Sequence, residues 1–388
     1  MSKTDYVIAG AGVAGIEAAA AIRARDPDGR IMVVGEEPHP FYARIRLGEL
    51  IDGRVGVERL ILKKDEWYRD NSIDLRTGVR VEGFDTKAAV ADLSDGARVQ
   101  YDRLLLAVGA RPFMPPFPGS DLPGVRTLRT IDDALKIKSL AADARAAVVI
   151  GGGLLGLEAA VSLVNSGLDV TVVDVSRWLL PRQVDPKGGG VVQGILEGMG
   201  LHFRIDAKVG SIEGRGRVES VELAGGESLS ASLVLVAAGI RPEVGPARDS
   251  GIEVDRGIKV DDRLTTSAHG VFAAGDCAQH RGRVYGIWPA SEAQGRIAGA
   301  VMAGEKASYE GTIPLNTLKI AGVAVFSIGD IDPENTGDTE TLQSGHVYRR
   351  LTRDEKGRLK GAVLVGDIKE RRRIIAAVGE GKPYPEKG

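Results

Sequence analysis

Residues Tyr6–Ala19 read YVIAGAGVAGIEAA, an apolar run followed by glycines at G-x-G-x-x-G spacing and then by an alanine-rich stretch. The apolar run is typical of a buried parallel strand, and the alanines favour a helix. In such a turn the first glycine permits a tight bend, the second lets backbone approach a pyrophosphate, and the third lets helix and strand pack closely. The helix N-terminus then favours bound phosphate. This stretch therefore predicts a dinucleotide site.

The same pattern occurs a second time. Val148–Ala160 reads VVIGGGLLGLEAA, and its first glycine lies 141 residues after that of the first copy. Each copy continues into a second apolar strand that meets an acid, Glu36 or Asp174, at 21 and 18 residues beyond the third glycine. The fingerprint expects an acid about 20 residues on, where it accepts hydrogen bonds from a ribose. A repeat at this separation indicates duplicated domains, and two such sites imply two dinucleotides.

A second duplicated pattern supports the first. Leu104–Pro112 and Leu233–Pro242 are both buried-strand patterns that end in a glycine and then a proline. Ligands in open α/β sheets bind at such strand ends. We therefore expect the residues that end these strands to lie beside the dinucleotides.

Composition and charge exclude several classes of protein. The 388 residues include 52 glycines, nearly twice the usual share of about 7%. The 51 basic and 53 acidic residues give a net charge of −2, which argues against nucleic acid or a membrane surface as partner. The longest apolar runs are shorter than the ~18 residues of a membrane span, and the first strand pattern begins at Thr4, which leaves no room for a signal peptide. We expect a cytoplasmic protein.

Cysteine and histidine usage limits the chemistry. Cys277 is the single cysteine, so disulfide frameworks and cysteine-based zinc sites are excluded, and the five histidines show no metal-ligand spacing. We predict no metal site.

The stretch Thr266–Asp276, TSAHGVFAAGD, resembles a motif of the FAD-dependent pyridine-nucleotide oxidoreductases, and the resemblance extends over roughly residues 4 to 305. In that family this strand closes the FAD domain, and its aspartate accepts hydrogen bonds from the flavin ribityl chain. The resemblance implies this role for Asp276. It also implies FAD at the first glycine loop and NAD(H) at the second.

The stretch Glu36–Leu47, EEPHPFYARIRL, is similar to rubredoxin reductases and to the flavin-binding part of NADH-dependent nitrite reductases. The resemblance implies that Glu36 binds the FAD ribose and that Arg44 lies along the FAD. Related ferredoxin reductases carry a lysine, which orders the region around flavin N5, where this chain has Glu49. We hypothesise that Arg46 supplies the missing charge.

The resemblance also places Glu158 at the contact between nicotinamide and flavin, where it would position the carboxamide. The alternative is an acid favoured in the first helical turn, since Glu17 has the same place in the first copy. Trp288 either flanks the flavin or packs in the core. Asp174 favours NADH over NADPH because a carboxylate repels a 2′-phosphate, although Arg177 nearby partly offsets this.

The candidate catalytic residues are therefore Glu158 and Arg46. The candidate cofactor-binding residues, taken from both loops, both acids and the strand ends, are Gly10, Gly12, Val13, Ala14, Gly15, Glu36, Glu37, Arg44, Val81, Ala107, Val108, Gly109, Arg111, Gly151, Gly153, Leu154, Leu155, Gly156, Asp174, Ala238, Gly239, Gly275, Asp276 and Trp288.

The missing cysteines point to a function. Disulfide reductases of the family need a cysteine pair, and its NADH oxidases and peroxidases use a cysteine in the segment corresponding to Phe41–Leu50, which has none. Cys277 is interpreted as a small buried residue. We predict that electrons pass from NADH to FAD and on to an external carrier, such as rubredoxin or another iron–sulfur protein. The alternatives are a low-turnover redox sensor or partner-binding flavoprotein, as in relatives of apoptosis-inducing factor, and an NADH oxidase that uses oxygen directly.

The fold expected is α/β, with two Rossmann-like three-layer dinucleotide domains and a small C-terminal α+β domain. The FAD domain is discontinuous, over residues 1–112 and 239–307, and the NAD domain is inserted at 113–238. Thr130 is the expected cap of a helix. Residues 308–388 form the C-terminal domain, which family members use as an interface, often for dimer contact; this leaves a homodimer open.

Within the C-terminal domain we predict strands at Val323–Ile328, His346–Thr352 and Leu359–Val365, and a helix from near Lys369. Its basic clusters, Arg349-Arg350 and 371–373, either dock an acidic carrier or form solvated faces and internal pairs. Among the unassigned glycines, Gly188–Gly190 and Gly225-Gly226 are predicted to form turns.

Overall fold

The computed structural model describes residues 2–320, 322–334, 337–381 and 384 of the chain. Its strands are β1 Ser2–Ala9, β2 Ile31–Gly35, β3 Ile73–Thr77, β4 Val81–Asp85, β5 Val90–Leu93, β6 Arg98–Leu106, β7 Ala110–Pro112, β8 Val125–Thr127, β9 Ala146–Ile150, β10 Asp169–Asp174, β11 Leu201–Ile205, β12 Val209–Glu213, β13 Ser220–Leu223, β14 Ser228–Ser230, β15 Leu233–Val236, β16 Ile240–Pro242, β17 Ile258–Val260, β18 Val271–Ala273, β19 Ala278–His280, β20 Leu315–Ile320, β21 Val323–Gly329, β22 Asp338–Ser344, β23 Val347–Arg353 and β24 Leu359–Val365. Its helices are α1 Val13–Arg23, α2 Leu47–Ile51, α3 Asp65–Asp70, α4 Ile131–Asp143, α5 Leu154–Asn165, α6 Pro186–Glu197, α7 Gly245–Asp249, α8 Trp288–Met302 and α9 Arg371–Glu380.

The chain divides into two compact units. The first unit comprises the residues up to Arg44, Val57–Arg111 and Ile240–Thr312. The second comprises Ile45–Gly56, Pro112–Gly239 and the residues from Ile313 onward. The placement of Ile45–Gly56, which carries α2, in the second unit was not anticipated from the sequence. The domain boundaries given above stay predictions.

The first unit is built around a parallel sheet in the order β3-β2-β1-β6, with β18 parallel to the C-terminal part of β6. The antiparallel strands β5 and β4 extend from the other part of β6. Successive side chains of β1 point to opposite faces. Ile8 joins a core with α1 and α8, whereas Val7 joins one with the β4–β5 strands. These three layers leave the carboxyl ends of β1, β6 and β18 at one edge.

The second unit repeats this plan. Its parallel sheet has the order β11-β10-β9-β15-β8, and a separate antiparallel sheet, β12-β13-β14, packs on one face. Helix α5 packs against β9, β10 and β11. At the start of α4, the Thr130 side chain accepts from the Asp133 amide and the Asp133 carboxylate accepts from the Thr130 amide, so the predicted cap is confirmed.

The C-terminal part of the second unit is an antiparallel sheet, β20-β21-β24-β23-β22, with α9 against β21 and β24. The three predicted strands and the helix are confirmed, with bounds shifted by a residue or two. Strands β20 and β22 were not predicted. The fold class, an α/β chain with duplicated parallel sheets and a small α+β domain, is confirmed.

The prediction of turns at Gly188–Gly190 was wrong, because these glycines lie inside α6. They allow close packing: a Cβ on Gly189 would lie 3.0 Å from the carbonyl oxygen of Leu179 and 2.8 Å from Cδ1 of Trp178. Gly225-Gly226 does form the turn between β13 and β14.

Candidate functional site

The first glycine loop joins β1 to α1, and its first and third glycines are enclosed by main chain. Gly10 has φ +121°, and a Cβ there would lie 2.1 Å from the carbonyl oxygen of Ala107. A Cβ on Gly15 would lie 1.9 Å from the carbonyl oxygen of Gly10. Only glycine fits either position without moving backbone. The loop is therefore held tightly against the end of β6.

The second glycine of this loop differs, because it faces open space. Gly12 is the N-cap residue of α1, its Cβ position has no atom within 4 Å, and no side chain caps the helix. Helix N-terminal amides without a cap carry partial positive charge and bind anions. A dinucleotide pyrophosphate fits this arrangement, with Val13 and Ala14 opening the helix beside it.

The second glycine loop, between β9 and α5, has the same geometry. Gly151 has φ +119° and a Cβ there would lie 2.4 Å from the carbonyl oxygen of Ala237, while one on Gly156 would lie 2.0 Å from that of Gly151. Gly153 caps α5 without a side-chain bond and has no atom within 4 Å of its Cβ position. Leu154 and Leu155 open the helix. A second pyrophosphate fits here.

The acid of the second copy is tied to its own glycine loop. The Asp174 carboxylate accepts from the backbone N–H of Gly152 and, at 2.6 Å, from that of Ser176. A carboxylate has about four acceptor positions, so it can still accept from ribose hydroxyls. Arg177 is exposed, and no partner for it is found among the described residues.

The acid of the first copy has different partners. The half-exposed carboxylate of Glu36 lies 3.2 Å from the guanidinium of Arg111, which also pairs with Glu243 at 2.5 Å. These bonds lower the pKa of the Glu243 carboxyl against the opposing effect of burial, and they raise that of Arg111. Two predicted cofactor residues, Glu36 and Arg111, are thus brought together.

Glu37, Arg44 and Asp276 form a second group in the same unit. Glu37 accepts from the Tyr42 hydroxyl and from the Arg44 guanidinium, each at 2.7 Å. Burial opposes the charge on Arg44, but Tyr42, Glu37 and Asp276 outweigh it and raise its pKa. Arg44 therefore stays a cation beside Asp276.

The turn that carries Asp276 is fixed by residues that sequence reasoning did not single out. The buried Gln294 accepts from the backbone N–H of Gly275 at 2.7 Å, and the Ser291 hydroxyl donates to Asp276 at 3.4 Å. Both lie on α8. Their only sequence signal is their place in the segment that begins at Trp288.

The remaining candidates of the first unit lie at or near strand ends. Ala107, Val108 and Gly109 follow β6, and the Ala107 amide donates to the Ala9 carbonyl at 2.8 Å, which joins the ends of β6 and β1. Val81 is buried in the core of the β4–β5 layer, so its side chain faces other apolar residues. Trp288 packs against Phe41, with ring centroids 5.8 Å apart. Core packing is therefore established for Trp288, and contact with flavin stays a prediction.

In the second unit, Ala238 and Gly239 follow β15 and are exposed. The carbonyl of Gly239 accepts from the Phe113 amide at 2.9 Å. The loop is anchored by main chain and leaves its surface free for a ligand.

Cys277 is fully buried, and its thiol lies 3.3 Å and 3.4 Å from the carbonyl oxygens of Leu106 and Ala274. Burial raises the thiol pKa to about 12. A thiol with this pKa holds its proton at neutral pH and does not act as a nucleophile.

The two candidate catalytic residues lie in the second unit, on α5 and at the start of α2. Arg46 makes a two-pronged pair with Glu49, at 3.0 and 2.7 Å, which lowers the pKa of Glu49. Glu158 is half-buried, and burial together with the charge of Glu49 raises its pKa to about 7. Arg46 is therefore a cation already neutralised by its neighbour.

Among the described residues, there is no group of three or more metal-ligating side chains. The helices in that part of the chain are all too short or too polar to cross a membrane.

A family model described as "Pyridine nucleotide-disulphide oxidoreductase" matches residues 4–306. The chain belongs to this pyridine nucleotide-disulphide oxidoreductase family. A second model, "Rubredoxin NAD+ reductase C-terminal domain", matches residues 314–382. The family's cofactors are FAD and NAD(H).

Individual relatives agree with the family. The chain is 36% identical over 383 residues to the nitrite reductase [NAD(P)H] of Bacillus subtilis, covering 97% of this chain and 47% of the relative. It is 34% identical over 370 residues to the ferredoxin–NAD(+) reductase subunit of the benzene 1,2-dioxygenase system of Pseudomonas putida, covering 92% and 88%. The chain spans about half the length of that nitrite reductase and of the assimilatory nitrate reductase electron transfer subunit of B. subtilis.

Among solved structures, the chain resembles NADH:rubredoxin oxidoreductase from Clostridium acetobutylicum. The TM-score is 0.82 at 28% sequence identity, and the match covers 99% of this chain and 97% of the other. The predicted resemblance to rubredoxin reductases and nitrite reductases is confirmed.

Proposed function

We propose that this family member passes electrons from NADH through FAD to a small external iron–sulfur protein, without a redox-active disulfide. The observation that carries the proposal is that each unit has an open glycine loop while the single thiol of the sequence, on Cys277, is fully buried. The loops provide for two dinucleotides, and the thiol provides no relay between them.

The first unit would hold FAD through main chain and three charged groups. Gly12 and the start of α1 would receive the pyrophosphate, Glu36 the ribose hydroxyls, and Asp276 the ribityl chain. Arg44 supplies a cation next to Asp276, which suits a phosphate. When bound, FAD accepts a hydride from a nicotinamide and releases electrons to a carrier.

The second unit would hold NADH through Gly153 and Asp174. The Asp174 carboxylate is already fixed by the amides of Gly152 and Ser176, so it meets the ribose in a set orientation. Its negative charge disfavours the 2′-phosphate of NADPH. We expect NADH to be preferred, with the unpaired Arg177 reducing the margin.

Thiol chemistry has no basis in this chain. A dithiol cycle needs two cysteines, and the sequence contains only Cys277. The burial of Cys277 keeps that thiol protonated. The electrons must therefore leave from the flavin itself.

The acceptor class rests on the relatives. One is a ferredoxin reductase, the solved structure is of a rubredoxin reductase, and residues 314–382 match a rubredoxin reductase C-terminal model. The basic pair Arg349-Arg350 is a poor docking surface: Arg349 pairs with Glu340 and Glu370, and Arg350 is buried beside Asp185 and Asp332. These arginines act inside the fold, and the identity of the carrier stays open.

Anaerobic stopped-flow mixing of the FAD-loaded protein with NADH, and in parallel with NADPH, tests the first half-reaction. We expect fast flavin reduction by NADH and slower reduction by NADPH. Steady-state NADH consumption with rubredoxin, ferredoxin or oxygen alone then tests the second half. Turnover with oxygen alone that matches turnover with the carriers would make the protein an NADH oxidase. Slow reduction with both nucleotides would instead support a redox sensor.

A further inference from the structure

Helix α2 lies in the segment Ile45–Gly56, which interrupts the sequence of the first unit but belongs to the second. In the second unit, α2 packs on α5, the helix that carries Glu158. The contact is close because Gly48 has no side chain: a Cβ there would lie 2.8 Å from the Ser162 hydroxyl and 3.5 Å from the Glu158 carbonyl oxygen. The next residue is Glu49. Glu49 and Glu158 therefore lie on two helices that pack closely where Gly48 meets the main chain of Glu158.

The two carboxyls differ in what surrounds them. Glu49 is paired with Arg46 through two hydrogen bonds, which fixes its position and its charge. Glu158 is half-buried, and within the described residues its carboxyl has no hydrogen bond and no cation. A partly buried carboxylate without a partner is costly, and a neighbouring carboxylate adds to the cost. The neutral acid is the favoured form.

The other charged side chains that the structure describes on elements packed against α5 have partners of their own. They are Arg46 at the start of α2, Glu49 on α2, Asp169 and Asp174 on β10, and His202 and Arg204 on β11. Asp169 pairs with His202, Arg204 with Glu227, and Asp174 with backbone amides. Of these groups, Glu49 is the one whose field raises the pKa of Glu158.

We propose that Glu49, clamped by Arg46, is a positioning residue that keeps Glu158 uncharged, so that Glu158 meets the nicotinamide as a hydrogen-bond donor. This inference rests on the proposed function, which puts NAD(H) at the second glycine loop, and on the resemblance that implies a nicotinamide contact for Glu158. It also replaces the hypothesis that Arg46 itself supplies a free positive charge.

The charge of Glu158 then discriminates between the two forms of the coenzyme. A neutral carboxyl donates to the carboxamide oxygen and exerts no attraction on the cationic ring of NAD+. Once ionised, it attracts that ring. NAD+ should therefore bind more tightly as pH rises through about 7, and leave more readily below it.

The protonation claim is tested on the FAD-loaded protein without turnover. Carbon-13 NMR of the protein labelled at glutamate carboxyls would be followed over about pH 5 to 9, with the Glu158 signal assigned by its loss in Glu158→Gln. We expect a midpoint of about 7 in the native chain and a lower midpoint in Glu49→Gln. Glu66→Gln, which removes an exposed carboxyl on α3, should leave the midpoint unchanged. A native midpoint near the ordinary 4.5, or one unmoved by Glu49→Gln, would overturn the proposal.

The functional claim is tested by the affinity of oxidised, FAD-loaded protein for NAD+ over the same range. The native chain should bind NAD+ about tenfold more tightly above the transition than below it, which corresponds to one pKa unit of coupling. Glu49→Gln should move this transition to lower pH, and Glu158→Gln should abolish it. A native affinity that does not change with pH contradicts the inference. Failure of NADH to reduce the flavin contradicts the proposed function instead.

Discussion

The first and second glycine loops have the same backbone conformation, but the acidic residues that follow them have different hydrogen-bond partners. In the second loop, Asp174 bonds to the loop's own amide at Gly152 and to Ser176. In the first, Glu36 is paired at the surface with Arg111. A coenzyme that must bind and leave in each cycle benefits from a site already in its bound shape, because ordering costs are not incurred again at each binding. The second loop has this preformed character.

The sheets that carry the loops also differ. In the first unit one long strand, β6, pairs with both the parallel β18 and the antiparallel β5. In the second unit two separate strands make the corresponding pairings: β15 lies in the parallel sheet, and β14 pairs with the antiparallel β13. The outer parallel strand comes late in the chain in the first unit, as β18, and early in the second, as β8. The strand–loop–helix segments and the strand ends Leu104–Pro112 and Leu233–Pro242 are the parts repeated closely enough to be recognised in the sequence.

The largest effect is expected from a methyl group on the first glycine of either loop. Gly10→Ala and Gly151→Ala both add a Cβ that overlaps a carbonyl oxygen in a left-handed backbone conformation. We expect Gly10→Ala to lose FAD, and Gly151→Ala to keep FAD but bind NADH at least about 100-fold more weakly, which corresponds to ~3 kcal/mol. Flavin content after purification and the NADH dependence of flavin reduction measure the two losses. Loss of FAD from Gly151→Ala would contradict the assignment of the loops.

A smaller effect is expected from the two acids. Asp174→Ala removes two charge-assisted bonds, one to the Gly152 amide of the loop and one to the Ser176 amide, and should weaken NADH binding about tenfold to 100-fold. Asp174→Asn, which keeps one acceptor oxygen, should fall between Asp174→Ala and the native chain. Glu36→Ala breaks the exposed ion pair between Glu36 and Arg111, but Arg111 stays paired with Glu243. The affinity for FAD should therefore fall about fivefold or less.

Titration calorimetry with NAD+ and flavin release on dilution measure these losses. Equal losses of affinity in Asp174→Ala and Glu36→Ala would show that the two acidic residues do not differ in how strongly they support dinucleotide binding.

Helix α6 is a 12-residue helix between β10 and β11, whereas the chain between β2 and β3 forms only the shorter α-helices α2 and α3. The glycines of α6 test that local difference. Gly189→Ala places a Cβ 2.8 Å from Trp178 and 3.0 Å from the Leu179 carbonyl, so we expect a loss of about 1–3 kcal/mol in the free energy of unfolding. Gly190→Ala has open space and should gain about 0.5–1 kcal/mol because alanine favours a helix. Denaturant unfolding measures both. Equal effects in the two variants would show that α6 is not packed as described.

The smallest effect on activity is expected from Cys277→Ala in the first unit. The thiol is buried and protonated, so turnover should stay within about twofold of the native rate. The lost packing should lower the free energy of unfolding by about 1 kcal/mol. Turnover with the carrier and a thermal melt check both numbers, and a large fall in turnover at unchanged stability would contradict a purely structural thiol.

The sequence predicted the parts of the fold that local pattern controls. Both loops, their acids, the Thr130 cap and three C-terminal strands follow from glycine spacing, alternation and capping chemistry. Gly188–Gly190 was misjudged because glycines usually break helices, and the reason for them here, the nearness of Trp178, is a tertiary contact.

The candidate site residues stay predictions, and their pairings could not be predicted from the sequence. The resemblance implied roles for Glu158 and Asp276, and Glu49 was visible as a departure from related reductases that suggested Arg46. That Arg46 would be neutralised by Glu49 depends on the turn that begins α2. That Gln294 would hold the Gly275 amide depends on the packing of α8, which no spacing reveals.

We propose that the chain binds two dinucleotides and that flavin is its working redox group. Anaerobic titration of the FAD-loaded protein with NADH, followed by flavin absorbance, tests it directly. With a single buried cysteine, about one equivalent of NADH per FAD should complete the bleaching. A requirement for about two equivalents would reveal a second two-electron group and contradict this proposal. Flavin that stays oxidised in the presence of NADH would contradict it as well.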